Sequence, residues 1–445
     1  IVQKSNLARP RPESRKALVL AGGAISGGAF KVGGLLALNR FFRNFSVNDF
    51  DMYVGISAGA FLAAPLSTGV APQELVQAIR GSEGRISKFS YLDFYYPNWR
   101  ELASRPAKLL RNSAMVGPVI AMSLAKLVPR RHRQLRELAS EFLRAPGLET
   151  ASALTEPVLE EMARSPYFKP GGYLPSGVFD NRRIERYVRT NLEKNGFPND
   201  FRKHKLSTGK SLYIVATNLN TAQRVVFGHD ENHSVTISEA VQASTAIPGF
   251  FRPARVGPEG FQQDYMDAAV RKTANISSAV RHGAELIICY NPFRPFINYH
   301  YRPGAKGELS LADMGMGVVL NQAFRTMLHS RLRIGIEKLR MNDKFQGDCI
   351  LIEPAETDAR FFAMNPLAFW KRPEAAAHGY QSVKTSFVKN FETLKPILAS
   401  HGISCDLEGM EGEFAAIRKA KGASAKLDVM EAPAPTASGL RLVSG

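Results

Sequence analysis

Ser57 stands in the pentapeptide Gly55-Ile56-Ser57-Ala58-Gly59, between an apolar run, Met52 to Val54, and a helix-like run, Ala60 to Ala64. A G-x-S-x-G turn between strand and helix presents a serine hydroxyl for nucleophilic attack, because small residues on both sides let the chain reverse sharply at a helix N-terminus. Upstream, Ala17-Leu18-Val19-Leu20 reads as a buried strand running into Ala21-Gly22-Gly23-Ala24-Ile25-Ser26-Gly27-Gly28. A glycine loop between strand and helix offers free backbone N–H groups, to a phosphate or to the oxyanion of acyl transfer. The P-loop pattern fails, since Ala29 and Phe30 stand where Lys and Ser/Thr belong, and no start in the loop fits G-x-G-x-x-G. The bland alternative for this loop is a tight turn with close packing. A third element follows much later: Asp264-Tyr265-Met266-Asp267-Ala268-Ala269-Val270, just after Ala243-Ser244-Thr245-Ala246-Ile247-Pro248-Gly249-Phe250-Phe251.

Taken in order, these segments and the strand-like Tyr213 to Leu219 resemble the patatin-like phospholipases, over roughly residues 17 to 295. The resemblance carries over the glycine-rich loop, G-x-S-x-G, A-S-x-x-I-P-x-x-F, and a D-G-[GA] motif with an Asn shortly after it, here Asp267 and Asn275. It implies a Ser–Asp dyad without histidine: Ser57 attacks the ester carbonyl, Asp267 takes its proton, and water later releases the acyl-enzyme. An unperturbed Asp is a weak base at neutral pH, so burial that raises its pKa is expected. The implied oxyanion donors are Gly23 and Ala24, with Gly22 and Gly27 beside them. Gly55 and Gly59 form the elbow.

Two departures from the family pattern matter. Ala268 replaces the glycine after the aspartate, which would strain a turn needing positive φ. The cation that the loop pattern places near Ser26 or Gly27 is missing. Two alternatives stay open beside the dyad. One is a catalytically impaired patatin-fold protein that binds lipid or a partner, with Ala268 as the discriminating residue. The other is an α/β-hydrolase with a Ser, acid and His triad, for which His282, His300, His329, His378 and His401 are the downstream candidates.

The elements needed to position these groups are legible. Strands at Ala17-Leu20, Met52-Ile56, Leu212-Ala216, Leu286-Tyr290 and Cys349-Ile352 alternate with helical stretches. They predict an α/β layered fold: a central, mostly parallel sheet flanked by helices, with a helical insertion and a C-terminal helical extension. Asp313 to Arg340 and Ala375 to Leu394 read as helices. The expected organisation is a basic arm, 1–16; a catalytic domain, 17–295, with an insertion at about 101–170; an extension packed on it, 296–420; and a disordered Ala/Pro/Ser-rich tail, 421–445.

The 445 residues are 44% apolar, enough for a large core, and Cys289, Cys349 and Cys405 are too few and too far apart for a disulfide framework. No Cys/His cluster has metal-ligand spacing, so neither metal nor cofactor is expected. No stretch has the run of apolar residues of a membrane span, and the N-terminal segment lacks a signal-peptide core, so a cytoplasmic location is expected, peripheral on a membrane. Net charge is +18; from Arg105 to Arg136 there are eight Lys/Arg and no acid, around the apolar stretch Ala114 to Met122. That pattern suits an anionic lipid surface, the phospholipid or other acyl lipid being the substrate; the alternative is a solvated helix pair whose apolar face packs on the core. Without interleaved aromatics or a recognition motif, nucleic acid is not expected as a partner, and the sequence leaves the oligomeric state open.

Overall fold

A computed structural model describes residues 1–82, 84–105, 116–163, 174–302, 310–407, 416, 417, 419, 420 and 422–431. The chain divides into two compact units, one formed by Ile1–Tyr96, Asn181–Pro248 and Pro253–Gly445, the other by Pro97–Asp180 and Gly249–Arg252.

The first unit is built on a nine-stranded sheet. Its strands are β1 (Val2–Gln3), β2 (Lys16–Leu20), β3 (Met52–Ile56), β5 (Ser211–Asn218), β6 (Arg224–Phe227), β8 (Ala254–Val256), β9 (Gln263–Asp267), β10 (Leu286–Tyr290) and β11 (Asp348–Ile352); β4 (Gly177–Phe179) and β7 (Gly249–Phe251) pair in the second unit. Strand order is β1-β11-β10-β2-β3-β5-β9-β8, with β6 on β5. The five central strands, β11 to β5, are parallel and buried on both faces, as their unbroken Val, Ile and Leu runs require. β9 returns antiparallel to β5, with Asp267 opposite Ala216. Because β2 and β3 step to one side and β10 lies on the other side of β2, the carboxyl ends of these three strands border a crevice where open α/β sheets place ligands.

Helix α1 (Ala24–Phe41) follows β2, and α2 (Ala58–Ser67) follows β3; α3 (Pro72–Arg80) comes next. The residues expected as a C-terminal extension share this unit. β11 pairs with β10, and the helix Arg372–Lys389 packs along α1. The single helix expected over Ala375 to Leu394 is two, Arg372–Lys389 and Phe391–Ser400, broken at Asn390. Within the segment expected to be a disordered tail, Ala423–Glu431 is a helix with Leu427 and Met430 buried, and Arg40 donates to the Met430 carbonyl. Two apolar residues spaced by one helical turn suffice to dock it, which a composition average hides. Residues 432–445 lie outside the described ones.

In the second unit Val116–Arg144 is a helix kinked at Arg131, just after Pro129, and packs against Leu148–Ala163. Val119, Ser123 and Leu127 are buried at helical spacing, while Ile120, Met122, Leu124 and Val128 are exposed. The cationic stretch read from the sequence lies partly outside the described residues, at 106–115. No described helix is long and apolar enough to cross a membrane.

Candidate active site

Ser57 caps the N-terminus of α2 with φ 55° and ψ −125°, a left-handed backbone that a non-glycine residue adopts only under constraint. The constraints are visible. The Ser57 carbonyl accepts from Ala60 N–H at 2.8 Å, and its N–H donates to Ser244 Oγ at 2.8 Å. A Cβ on Gly55 would stand 2.5 Å from Ala60 Cα, and one on Gly59 2.1 Å from the Leu20 carbonyl oxygen, so both elbow glycines are required by close approach.

The glycine loop passes directly over this serine. A Cβ on Gly22 would sit 3.5 Å from Ser57 Cβ and 3.6 Å from Ala269 Cβ. Gly27 N–H is taken by the Gly23 carbonyl at 2.8 Å, and Ile25 and Ser26 N–H both donate to Pro366 O. The N–H groups of Gly22, Gly23 and Ala24 have no acceptor among the described residues. Of the four positions expected as oxyanion donors, Gly22, Gly23 and Ala24 therefore carry open donors, and Gly27 does not.

Asp267 ends β9 and accepts from Ala269 N–H at 2.8 Å. Its own N–H donates to Ala246 O at 2.9 Å. Burial pushes its pKa up to about 6, against the Ser57 and Ala269 hydrogen bonds and the Lys31 charge, which pull it down. The A-S-x-x-I-P segment thus has two tasks. Ser244, on the helix Ile237–Thr245, fixes the Ser57 backbone while donating to Val215 O at 2.6 Å, and Ala246 fixes that of Asp267. The turn after Asp267 is a 3-10 helix, Ala268–Val270, and Ala268 lies outside the left-handed region; its methyl is buried in the core. The strain anticipated for Ala268 is absent, because the chain continues from the aspartate into a right-handed turn.

Sequence reasoning missed Lys31. It is 0% exposed, and its Nζ donates to the carbonyls of Ala21 and Gly22, each at 2.7 Å. Burial lowers its pKa to about 7, with Asp267 and Cys289 pulling it back up. The available signal was a lone lysine in the otherwise apolar Ala29 to Leu38 run.

Ser57 lines a cavity of about 1130 Å³, counting its open mouth. It is walled by Ala58, Phe61, Leu62 and Pro65 of α2 and by Leu75 and Leu192 opposite. Asn191, Asn195 and Arg372 are its main polar groups.

The triad candidates are engaged elsewhere. His282 stacks on Tyr213, His329 meets Glu353, and His378 is held by Asp358. His401 forms a Ser-His-Asp array of its own, with Ser14 Oγ at 2.7 Å from Nδ1 and Asp348 Oδ2 at 2.9 Å from Nε2, all buried. Asp348 begins β11, whereas Ser57 follows the end of a parallel β3, so that array ties the N-terminal arm to the sheet at the opposite, amino end of its parallel strands. No described contact links any of the five histidines, His300 included, to Ser57.

A family profile described as Patatin-like phospholipase matches residues 18–280. Among solved structures, VipD from Legionella pneumophila is 17% identical, with 87% of this chain and 69% of VipD covered and a TM-score of 0.35. The type III effector protein ExoU is 15% identical, with 94% of this chain and 61% of ExoU covered and a TM-score of 0.33. ExoU bound to SpcU, from Pseudomonas aeruginosa, is again 15% identical, with 96% and 73% covered and a TM-score of 0.26. Curated proteins give no match.

Proposed function

The chain belongs to the patatin-like phospholipase family, and from that premise we propose that it hydrolyses a carboxylic ester of an acyl lipid, phospholipase A fashion, with Ser57 as nucleophile and Asp267 as general base. The observation that carries this reading is a serine held at positive φ and lining an apolar cavity, with a buried carboxylate near enough that the Ser57 hydroxyl pulls its pKa down.

The chemistry follows from the placement. Asp267 takes the hydroxyl proton as Ser57 Oγ bonds to the ester carbon, and a pKa near 6 makes it a better base than an exposed carboxylate while leaving it ionised at neutral pH. Negative charge moves to the carbonyl oxygen, where the open N–H groups of Gly22, Gly23 and Ala24 are the donors. Collapse expels the alcohol, which carries off the proton from Asp267, and a water activated by the same carboxylate releases the fatty acid. The acyl chain lies along α2, from which Ala58, Phe61, Leu62, Ala64 and Pro65 line the cavity for about 10 Å at 1.5 Å per residue.

Ser57→Ala and Asp267→Asn should each lower ester hydrolysis by several orders of magnitude while leaving the far-ultraviolet circular dichroism unchanged. Wild type should be labelled at Ser57 by a fluorophosphonate. Loss of comparable size on replacing His282, His300, His329, His378 or His401 in a folded variant would replace the dyad with a triad, and a wild type that binds lipid without labelling or turnover would mean the site is not catalytic.

A further inference from the structure

The glycine loop contains no basic residue of its own, yet a cation sits inside it. Lys31 lies two helical turns along α1, and its side chain runs back beneath the loop to place Nζ 2.7 Å from both the Ala21 and the Gly22 carbonyl oxygens. In a trans peptide the carbonyl of one residue points opposite to the N–H of the next. Holding the Ala21 and Gly22 carbonyls on the Lys31 side therefore turns the N–H groups of Gly22 and Gly23 to the other side. Those are two of the donors left without an acceptor, and a Cβ on Gly22 would stand 3.5 Å from Ser57 Cβ.

Resting on the dyad reading, we infer that Lys31 is the positioning residue of the oxyanion hole: its ammonium orients and polarises the Ala21–Gly22 and Gly22–Gly23 peptide groups toward the charge that develops on the ester oxygen. The need for a cation here also follows from charge balance. Before attack the site holds an Asp267 carboxylate; during attack Asp267 becomes neutral and the negative charge passes to the substrate oxygen under the loop. The Lys31 charge acts through the peptide units that receive it, and Lys31, Ser57 and Asp267 are all buried, where such preorganised donors matter most. A fully buried lysine is otherwise a costly residue, and methionine would fill the same volume.

The groups facing Lys31 are Asp267 from β9 and Cys289 from β10, besides the two carbonyls. Two opposite pH effects follow. As pH falls through about 6, Asp267 takes up its proton and the base is lost. As pH rises through about 7, Lys31 loses its charge and the loop loses its polarising cation. Wild-type kcat/KM for a soluble short-chain nitrophenyl ester should thus fall on both sides of neutrality, with an alkaline limb far below the ordinary lysine value of about 10.4.

The test compares wild type, Lys31→Met and Lys31→Gln by steady-state kinetics on that ester, by rate of fluorophosphonate labelling, and by thermal melting. Lys31→Met should lower kcat roughly 100-fold, the scale of losing one oxyanion donor, with KM within about threefold. Labelling should slow in parallel. The alkaline limb should vanish and the acid limb should move to higher pH, since the charge holding the Asp267 pKa down is gone, a change that a packing defect alone would not produce. Lys31→Gln, which keeps a donor without charge, should be intermediate. A folded Lys31→Met with kcat within about threefold of wild type overturns the inference. If neither variant folds, the wild-type profile decides, and a profile flat from neutrality to about pH 9 is equally fatal. Wild type that fails to label at Ser57 fails the dyad reading itself; wild type and Lys31→Met labelling at equal rates leaves the dyad standing and removes only Lys31.

Discussion

At the scale of single residues, reactivity and strain sit where a short local pattern reveals them, and support sits where it does not. Ser57 was legible because the small residues around it report a backbone turn, and the turn is found at φ 55°. Asp267 became legible only through the order of several motifs, since a lone Asp before Ala-Ala reads equally well as a cap, which it also is for Ala269. Lys31 escaped because its meaning depends on contacts nine and ten residues back, across a turn whose geometry the sequence does not state. Ala268 shows the reverse error, a departure from a family pattern that looks costly and is not. With no positive φ to relieve, Ala268→Gly loses a buried methyl and loosens the unfolded chain, so it should destabilise by about 1 kcal/mol. Chemical denaturation would measure this; a stability gain, or faster ester hydrolysis, would show that the turn is strained after all.

Among the elements, the central strands were read to within a residue or two, because parallel strands buried on both faces have continuous apolar runs. The short antiparallel strands β8 and β9 carry no such run, and the alternation that marks them covers only a few residues. Helix pairing was hidden for a different reason: the deciding residues are glycines, which leave no hydrophobic signal. A Cβ on Gly33 of α1 would lie 1.8 Å from the Ala376 carbonyl oxygen, and one on Gly379 would lie 1.9 Å from that of Phe30, so the two helices meet backbone to backbone. Phe30 and Lys31 are neighbours, which makes this crossing part of the support for the glycine loop. Gly379→Ala should cost at least 1–3 kcal/mol by overpacking, roughly, and should lower activity by displacing α1. Gly335→Ala is the contrasting case. It lies in the helix Met316–Arg340 with nothing within 4 Å of its would-be Cβ, and it should stabilise by about 0.5–1 kcal/mol through helix propensity. Urea titration of both variants checks the pair; equal effects would mean that the crossing is not a tight contact.

For the molecule as a whole, the division of labour follows the two units. The residues of the proposed chemistry, the cavity beneath them and Lys31 all belong to the first. The second carries the kinked helix Val116–Arg144, whose exposed surface combines Met122, Leu124 and Val128 with Arg130, Arg131, Arg133 and Arg136. Apolar residues beside cations are what an interfacial helix needs, and were it to meet anionic lipid, the chain's net charge of +18 would add attraction over a longer range than any one contact. Each cation near such a surface contributes on the order of 1 kcal/mol, screened within roughly 8 Å at physiological salt. Co-sedimentation with anionic vesicles should therefore weaken steeply across a salt series. Replacing the four arginines by glutamine should reduce it at low salt, and neutral vesicles should bind wild type and variant alike. Hydrolysis of a soluble short-chain ester should stay within about twofold of wild type, because no residue of the dyad, loop or cavity is touched. Equal sedimentation of the two proteins with anionic vesicles would make this helix ordinary solvated surface, and a parallel loss of soluble-ester hydrolysis would mean that the second unit supports the site itself.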